Sequence, residues 1–166
     1  MKKLLLAISV LSVALLSGCE TTKPVVQKSS LEIQAIQAKM FETDKSTAFK
    51  SVLSVLQDLG YVIQAASLDT GVITAQSPTK QDRSGGAFAA AAFAGVRTEG
   101  RTYVTASIED FNAKQTRVRL NFVDKRFRSS SYGQQATDET PIYDAQIYSN
   151  AFEKISEAIF IRSAQK

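Results

Sequence analysis

The sequence predicts an α+β domain, a two-layer sandwich in which an antiparallel sheet of about five strands carries two helices on one face, in the order β-α-β-β-β-β-α. Three observations predict it. Residues 102–111 and 116–123 alternate apolar with polar side chains on either side of a short polar turn, the pattern of an antiparallel hairpin. Residues 45–58 and 141–163 instead repeat their apolar side chains at helical spacing. The remaining strand-like runs lie next to one another across turn residues, so hairpins join them and the sheet is antiparallel.

The first strand is expected within residues 34–41, where Ile36, Ala38 and Met40 fall on one face. Thr43 and Asp44 supply capping oxygens to the helix at 45–58, along which Ala48, Phe49, Val52, Leu53, Leu56 and Leu59 recur, and Gly60 is placed to stop it. Residues 61–66 and 72–77 are two short β-rich runs about the turn Leu68-Asp69-Thr70-Gly71. In the hairpin that follows, Val104, Ala106 and Ile108 face inward with Val118, Leu120 and Phe122, and Asn112-Ala113-Lys114 makes the turn. Residues 129–140 are polar and read as a loop. Pro141 then opens a closing helix whose buried stripe is Ile147, Tyr148, Ala151, Phe152, Ile155 and Ile159.

Ahead of this domain the chain reads as an export signal. Lys2 and Lys3 precede an apolar run from Leu4 to Leu16, too short for a spanning helix, which needs about 20 apolar residues. Leu16-Ser17-Gly18-Cys19 resembles the bacterial lipobox, in which the cysteine thiol is diacylated and the preceding signal, here residues 1–18, is removed. Cys19 is the only cysteine, so no internal disulfide competes for its thiol. Residues 19–30 are then a lipidated tether, polar and with one proline, and residues 31–166 a single domain. Glu20, where an aspartate would favour retention in the inner membrane, points to the outer membrane.

The formal charge of +4 falls to +2 on such processing, because losing Lys2 and Lys3 leaves 18 basic residues against 16 acidic. Histidine is absent, which excludes Ser-His-Asp and Cys-His catalysis and any His-ligated zinc.

The stretch from Gln37 to Ala75 contains Phe41-Glu42-Thr43-Asp44, Val55-Leu56-Gln57-Asp58-Leu59-Gly60-Tyr61-Val62-Ile63 and Gly71-Val72-Ile73-Thr74-Ala75. With Pro141-Ile142-Tyr143-Asp144, Tyr148, Phe152, Ile155-Ser156 and Ile159-Phe160-Ile161, it resembles a family of small uncharacterised outer-membrane lipoproteins of Gram-negative bacteria. The element order is similar to the helix-grip-like domains of the lipoprotein accessory subunit of the outer-membrane β-barrel assembly machine, an analogy of topology. The resemblance implies an envelope location and brings no catalytic residue. Leu56, Leu59, Gly60, Ile63 and Gly71 within it also have purely structural explanations, as core, helix-stop and turn positions.

Two constellations invite contact with something else. The segment from Ser84 to Val96 is Gly/Ala/Phe-rich and lies in an irregular stretch, 78–100, far longer than the usual loop of about 4–6 residues. Phe88 and Phe93 either enter a membrane interface or a partner's groove, or fold back over the domain as a flap. The second is a basic and aromatic stretch from Arg97 to Tyr132, in which Arg117 and Arg119 share the exposed face of one strand. Such a stretch suits single-stranded nucleic acid, but export argues for anionic headgroups or an acidic partner. It also suits a solvated sheet face balanced by Glu99, Glu109, Asp110 and Asp124. The acidic pairs Glu109-Asp110 and Asp138-Glu139 have no visible cleft to act in, the first pointing to opposite faces of a strand and the second lying in the polar loop.

The expectation is therefore a lipid-anchored lipoprotein of the outer membrane, its domain facing the periplasm, with a non-enzymatic binding or structural role as an accessory subunit of an envelope assembly. The alternative is a module that binds a small ligand or lipid. The expected partners are the membrane, through the lipid on Cys19, and another envelope protein, with no nucleic acid, metal or cofactor.

Overall fold

The hairpin expected around residues 102–123 is the centre of the fold, and it extends well beyond its apolar alternation. In this computed structural model the described residues are 29–81, 97–112, 114–129 and 133–165. Along the chain they form α1 (Ser30–Gln37), β1 (Ala38–Phe41), α2 (Lys45–Asp58), β2 (Val62–Ser67), β3 (Val72–Gln76) and β4 (Lys80–Gln81). Then come β5 (Arg97–Asn112), β6 (Gln115–Ser129), β7 (Gln135–Pro141) and α3 (Ala145–Ala164). The sheet runs β1-β6-β5-β3-β2, with β4 beside β5 and β7 beside β6, and every pairing is antiparallel. The expected two-layer α+β sandwich is present, and the described residues alone form seven strands where about five were expected and three helices where two were.

Alternation decides what the sheet buries. Ile73 and Ala75 on β3, Val104, Ala106 and Ile108 on β5, and Thr116, Val118, Leu120 and Phe122 on β6 point to one face. Onto it pack Ala48, Phe49, Val52, Val55 and Leu56 from α2, and Tyr148, Ala151, Phe152, Ile155 and Ile159 from α3. Each fully buried large side chain contributes about 1.5–3 kcal/mol relative to exposure. Three ring pairs lock the layers: Phe41 with Phe152 at 6.2 Å, Tyr61 with Phe122 at 6.4 Å, and Phe122 edge-on to Tyr148 at 5.2 Å. Ile147, expected in the buried stripe, is 40 % exposed, because it lies one position before the stripe that Tyr148 begins.

The expected first strand is half helix. Ser29 accepts from the Glu32 amide while the Glu32 carboxylate accepts from the Ser29 amide, a reciprocal capping box that starts α1 at Ser30. The strand begins only at Ala38, and the tether expected through residue 30 gives way to helix there. By contrast α2 spans the expected residues, capped by Asp44, which accepts from the Thr47 amide and hydroxyl. Gly60, at φ +82°, follows it as the left-handed stop.

Residues 129–140, expected as a loop, contain β7, and Pro141 ends that strand instead of opening α3, whose cap is Asp144. The expected irregular stretch 78–100 likewise contains β4 and the start of β5. The reason is common to both. Residues 97–103 and 123–129 extend the central hairpin past the helices as a wing, flanked by β4 and β7, where strands need no apolar alternation. Ser77-Pro78-Thr79 interrupts β3 before β4, and Ser77 holds the break to β5 through two hydrogen bonds with the Thr102 backbone.

Candidate interaction site

The other face of the sheet carries the side chains that alternate away from the core, and the end of α1 reaches it through Gln37. Arg117 and Arg119 lie on this face, as their spacing predicts; Arg119 is exposed and Arg117 half-buried. Met40 stands opposite Arg117 on β1 and Glu109 opposite it on β5, while Ala38 and Ser107 flank Arg119. The Arg119 guanidinium donates to Gln37 Oε1 at 3.1 Å, so this cation is oriented by the end of α1.

Gln37 is buried and joins the two faces. Its amide nitrogen lies 3.3 Å from Asn121 Oδ1 on the open face and 3.4 Å from the Tyr148 hydroxyl in the core. Neither Gln37 nor Asn121 stands out in the sequence, because a single amide carries no periodicity signal.

Further along the open face is a shallow depression of about 330 Å³ lined by Gln64, Thr74, Tyr103, Asn121, Lys125 and Glu139, among others. Lys125 lies over the Tyr103 ring, 4.7 Å from its centroid, and pairs with Glu139 at 2.7 Å. Continuing the β6 alternation past Val123 would have placed Lys125 and Phe127 on the same side as Arg119. Next to Lys125 on β5, Arg101 is half-buried, and its Nε has no hydrogen-bond partner among the described residues.

The basic stretch is thus not one basic face. Arg126 and Arg128 alternate to the opposite side of the wing, where they pair with Asp124 and Asp138. Asp138 and Glu139, expected in a polar loop, are instead on β7 with a cation each. That is a correction with a simple cause: a solvated strand has no apolar pattern by which to recognise it. Glu109 accepts from the Ser107 hydroxyl at 2.9 Å.

Burial pushes the Tyr61 phenol above its ordinary pKa of 10.0. Among the described residues no three His, Cys, Asp or Glu side chains are grouped to hold a metal ion, and no helix is long and apolar enough to cross a membrane. The depression offers amides, hydroxyls, one aromatic ring and a neutralised ion pair, which is recognition chemistry. Leu16, Ser17, Gly18 and Cys19 of the lipobox, and Phe88 and Phe93, lie outside the described residues. No family model matches the chain, and no curated protein matches it.

Proposed function

We propose that this protein is a lipid-anchored lipoprotein of the bacterial outer membrane that binds another envelope component without catalysing a reaction, as an accessory subunit of an envelope assembly. The observation that carries the reading is Leu16-Ser17-Gly18-Cys19 behind a basic and apolar leader, with Cys19 the sole cysteine. Its resemblance to small Gram-negative lipoproteins agrees with it. The open sheet face is the surface available for the contact, with Arg117, Arg119 and the Tyr103–Lys125–Glu139 group presented on it. Phe88 and Phe93 are the second proposed contact.

The ligand-pocket alternative has less support. Tyr148, Phe122, Leu56 and Ile155 fill the layer between sheet and helices, and the 330 Å³ depression is on the outside of the sheet.

The test is in two steps. The full chain, expressed in a Gram-negative host with labelled palmitate, is expected to take up label and fractionate with membranes, and Cys19→Ala to do neither. A wild-type chain without label would end the anchored reading. Photo-crosslinkers at Arg119 and at Lys154 on α3 then separate the faces. Capture of an envelope protein from Arg119 alone supports the proposed surface, and equal capture from both removes it. Deleting residues 84–96 is expected to leave a folded domain with lost capture; unchanged capture takes Phe88 and Phe93 out of the proposal.

A further inference from the structure

A sheet must end somewhere, and a strand at its end presents unpaired backbone groups that recruit other strands unless something blunts it. Here the edges are treated differently. β7 carries Asp138, Glu139 and the terminal Pro141. β1 is four residues long, carries Lys39 and is preceded by α1. Among the described residues β2 pairs only with β3, and its six residues, Val62-Ile63-Gln64-Ala65-Ala66-Ser67, include no charge and no proline. All are exposed except the half-buried Ile63. Around this edge Leu59, Val62, Leu68 and Val72 are 37–53 % exposed, a concentration of apolar surface that a solvated edge has no use for.

The one irregularity of β2 is a bulge between Ile63 and Ala65. It shifts the alternation, so that Val62 and Ser67 share the open face, while Ile63 and Ala66 share the helix face. A two-fold axis perpendicular to the sheet, passing between Gln64 and Ala65, then sets Val62 opposite the other copy's Ser67 and Ile63 opposite its Ala66. Every pair matches a larger side chain with a small one on the correct face, and the two bulges meet at the axis.

We infer that two copies of this chain pair edge to edge through β2, joining their sheets with both helical layers on the same side. A second copy is the occupant that fits, because it supplies an uncharged strand of complementary side-chain size and the pairing closes on itself. The contact is only about 20 Å long, six residues at roughly 3.3 Å each. It is smaller than the approximately 800 Å² per partner of a standard interface, so the dimer is reversible. The inference rests on the strand and not on the lipid anchor.

The test uses the full chain purified in detergent, under reducing conditions so that an unacylated Cys19 cannot bridge two molecules. The mean protein mass is expected to rise towards twice the monomer's across a concentration series reaching roughly 0.5 mM, where a Kd of about 0.1 mM would place about 70% of chains in dimers. Ala65→Lys, at an exposed position, brings like charges together at the axis and is expected to weaken association at least tenfold, whereas Thr137→Lys on β7 leaves it unchanged. A short bismaleimide is expected to capture dimers of Ala66→Cys and none of the parent chain. Capture of the parent would count against acylation of Cys19 and not against the pairing. A monomer at every concentration, or a dimer indifferent to Ala65→Lys, overturns the inference.

Discussion

The Tyr148 hydroxyl sits 3.3 Å from the Phe122 amide nitrogen and accepts its hydrogen bond, at a point where no described strand flanks β6 on that side. β1 covers β6 only through Arg119, and β7 begins to pair with it at Val123. Across the gap the same hydroxyl donates to the Ile142 carbonyl at 2.8 Å, Ile142 donates its amide to the Phe122 carbonyl, and the Gln37 amide donates to the hydroxyl. One buried oxygen therefore has its full complement of one donated and two accepted hydrogen bonds.

Tyr148→Phe should keep the ring packing against Phe122 and lose this hub. It leaves a backbone amide, a carbonyl and the Gln37 amide short of partners in a buried setting, at about 1–3 kcal/mol for an unsatisfied buried group. The expected reading is a lower urea midpoint with an unchanged denaturant slope, and an intact far-ultraviolet spectrum. A midpoint within error of wild type would mean that water fills the gap as well as the hydroxyl does.

Gly71 and Gly60 both have positive φ, at +69° and +82°, yet their substitutions should differ widely. A Cβ at Gly71 would overlap the Ile108 carbonyl oxygen, while the Ile108 amide donates to the Gly71 carbonyl at 2.7 Å and prevents the turn from moving away. A Cβ at Gly60 meets nothing. Gly60→Ala is expected to cost about 1–2 kcal/mol, the penalty of the left-handed region. Gly71→Ala should cost more than that and broaden the amide spectrum around β3 and β5. Equal melting temperatures for the two variants would contradict the account.

Ser51 lies in the middle of α2, fully buried, with a hydroxyl that has no hydrogen-bond partner among the described residues. Removing a desolvated, unpaired hydroxyl from a helix interior relieves a cost, and alanine is the better helix former. Ser51→Ala is expected to match or exceed wild-type stability in thermal unfolding. A loss of more than about 1 kcal/mol would reveal a bond that the hydroxyl makes in solution.

Tyr61 supplies a pH dependence whose sign follows from burial. Its folded-state pKa is raised by desolvation above 10.0, so the folded chain holds the phenolic proton more tightly than the unfolded chain. This contribution is fully present below about pH 10 and is lost as the pH rises through the folded pKa. Tyr61→Phe should therefore lose less stability than wild type between neutral pH and about pH 11, measured as melting temperature against pH. Parallel curves for the two proteins would exclude Tyr61 as a source of alkaline instability.

How much of this was legible in the sequence depended on whether a strand or helix had an apolar partner. α2 is legible to its ends, because a capping aspartate, a buried stripe through Leu56 and a stop glycine agree, although Leu59, expected on that stripe, is 41 % exposed beyond the last helical turn. The inward faces of β5 and β6 were equally clear, and with them the placement of Arg117 and Arg119. β7 was not, because Gln-Ala-Thr-Asp-Glu-Thr-Pro is exposed along its whole length and no alternation marks it. α1 carries its own signal, since Ser29-Ser30-Leu31-Glu32 is a capping box, but the alternation of Ile36, Ala38 and Met40 gives a competing strand pattern over the same residues. Tyr148 was correctly expected in the core, but its hydroxyl's role depends on where β1 stops and β7 starts, which no local pattern encodes.

The long hairpin has a mechanical consequence. β5 and β6 run without a break from the helix-covered core into the wing, and Val123 pairs with β5 and β7 at the junction. A continuous ladder has no joint at which the wing could swing. Whatever grips β7 or the depression beside Lys125 therefore holds a stiff beam rooted among Leu120, Val104 and Ile108. Docking there freezes little new motion, which favours specific capture through a small contact area.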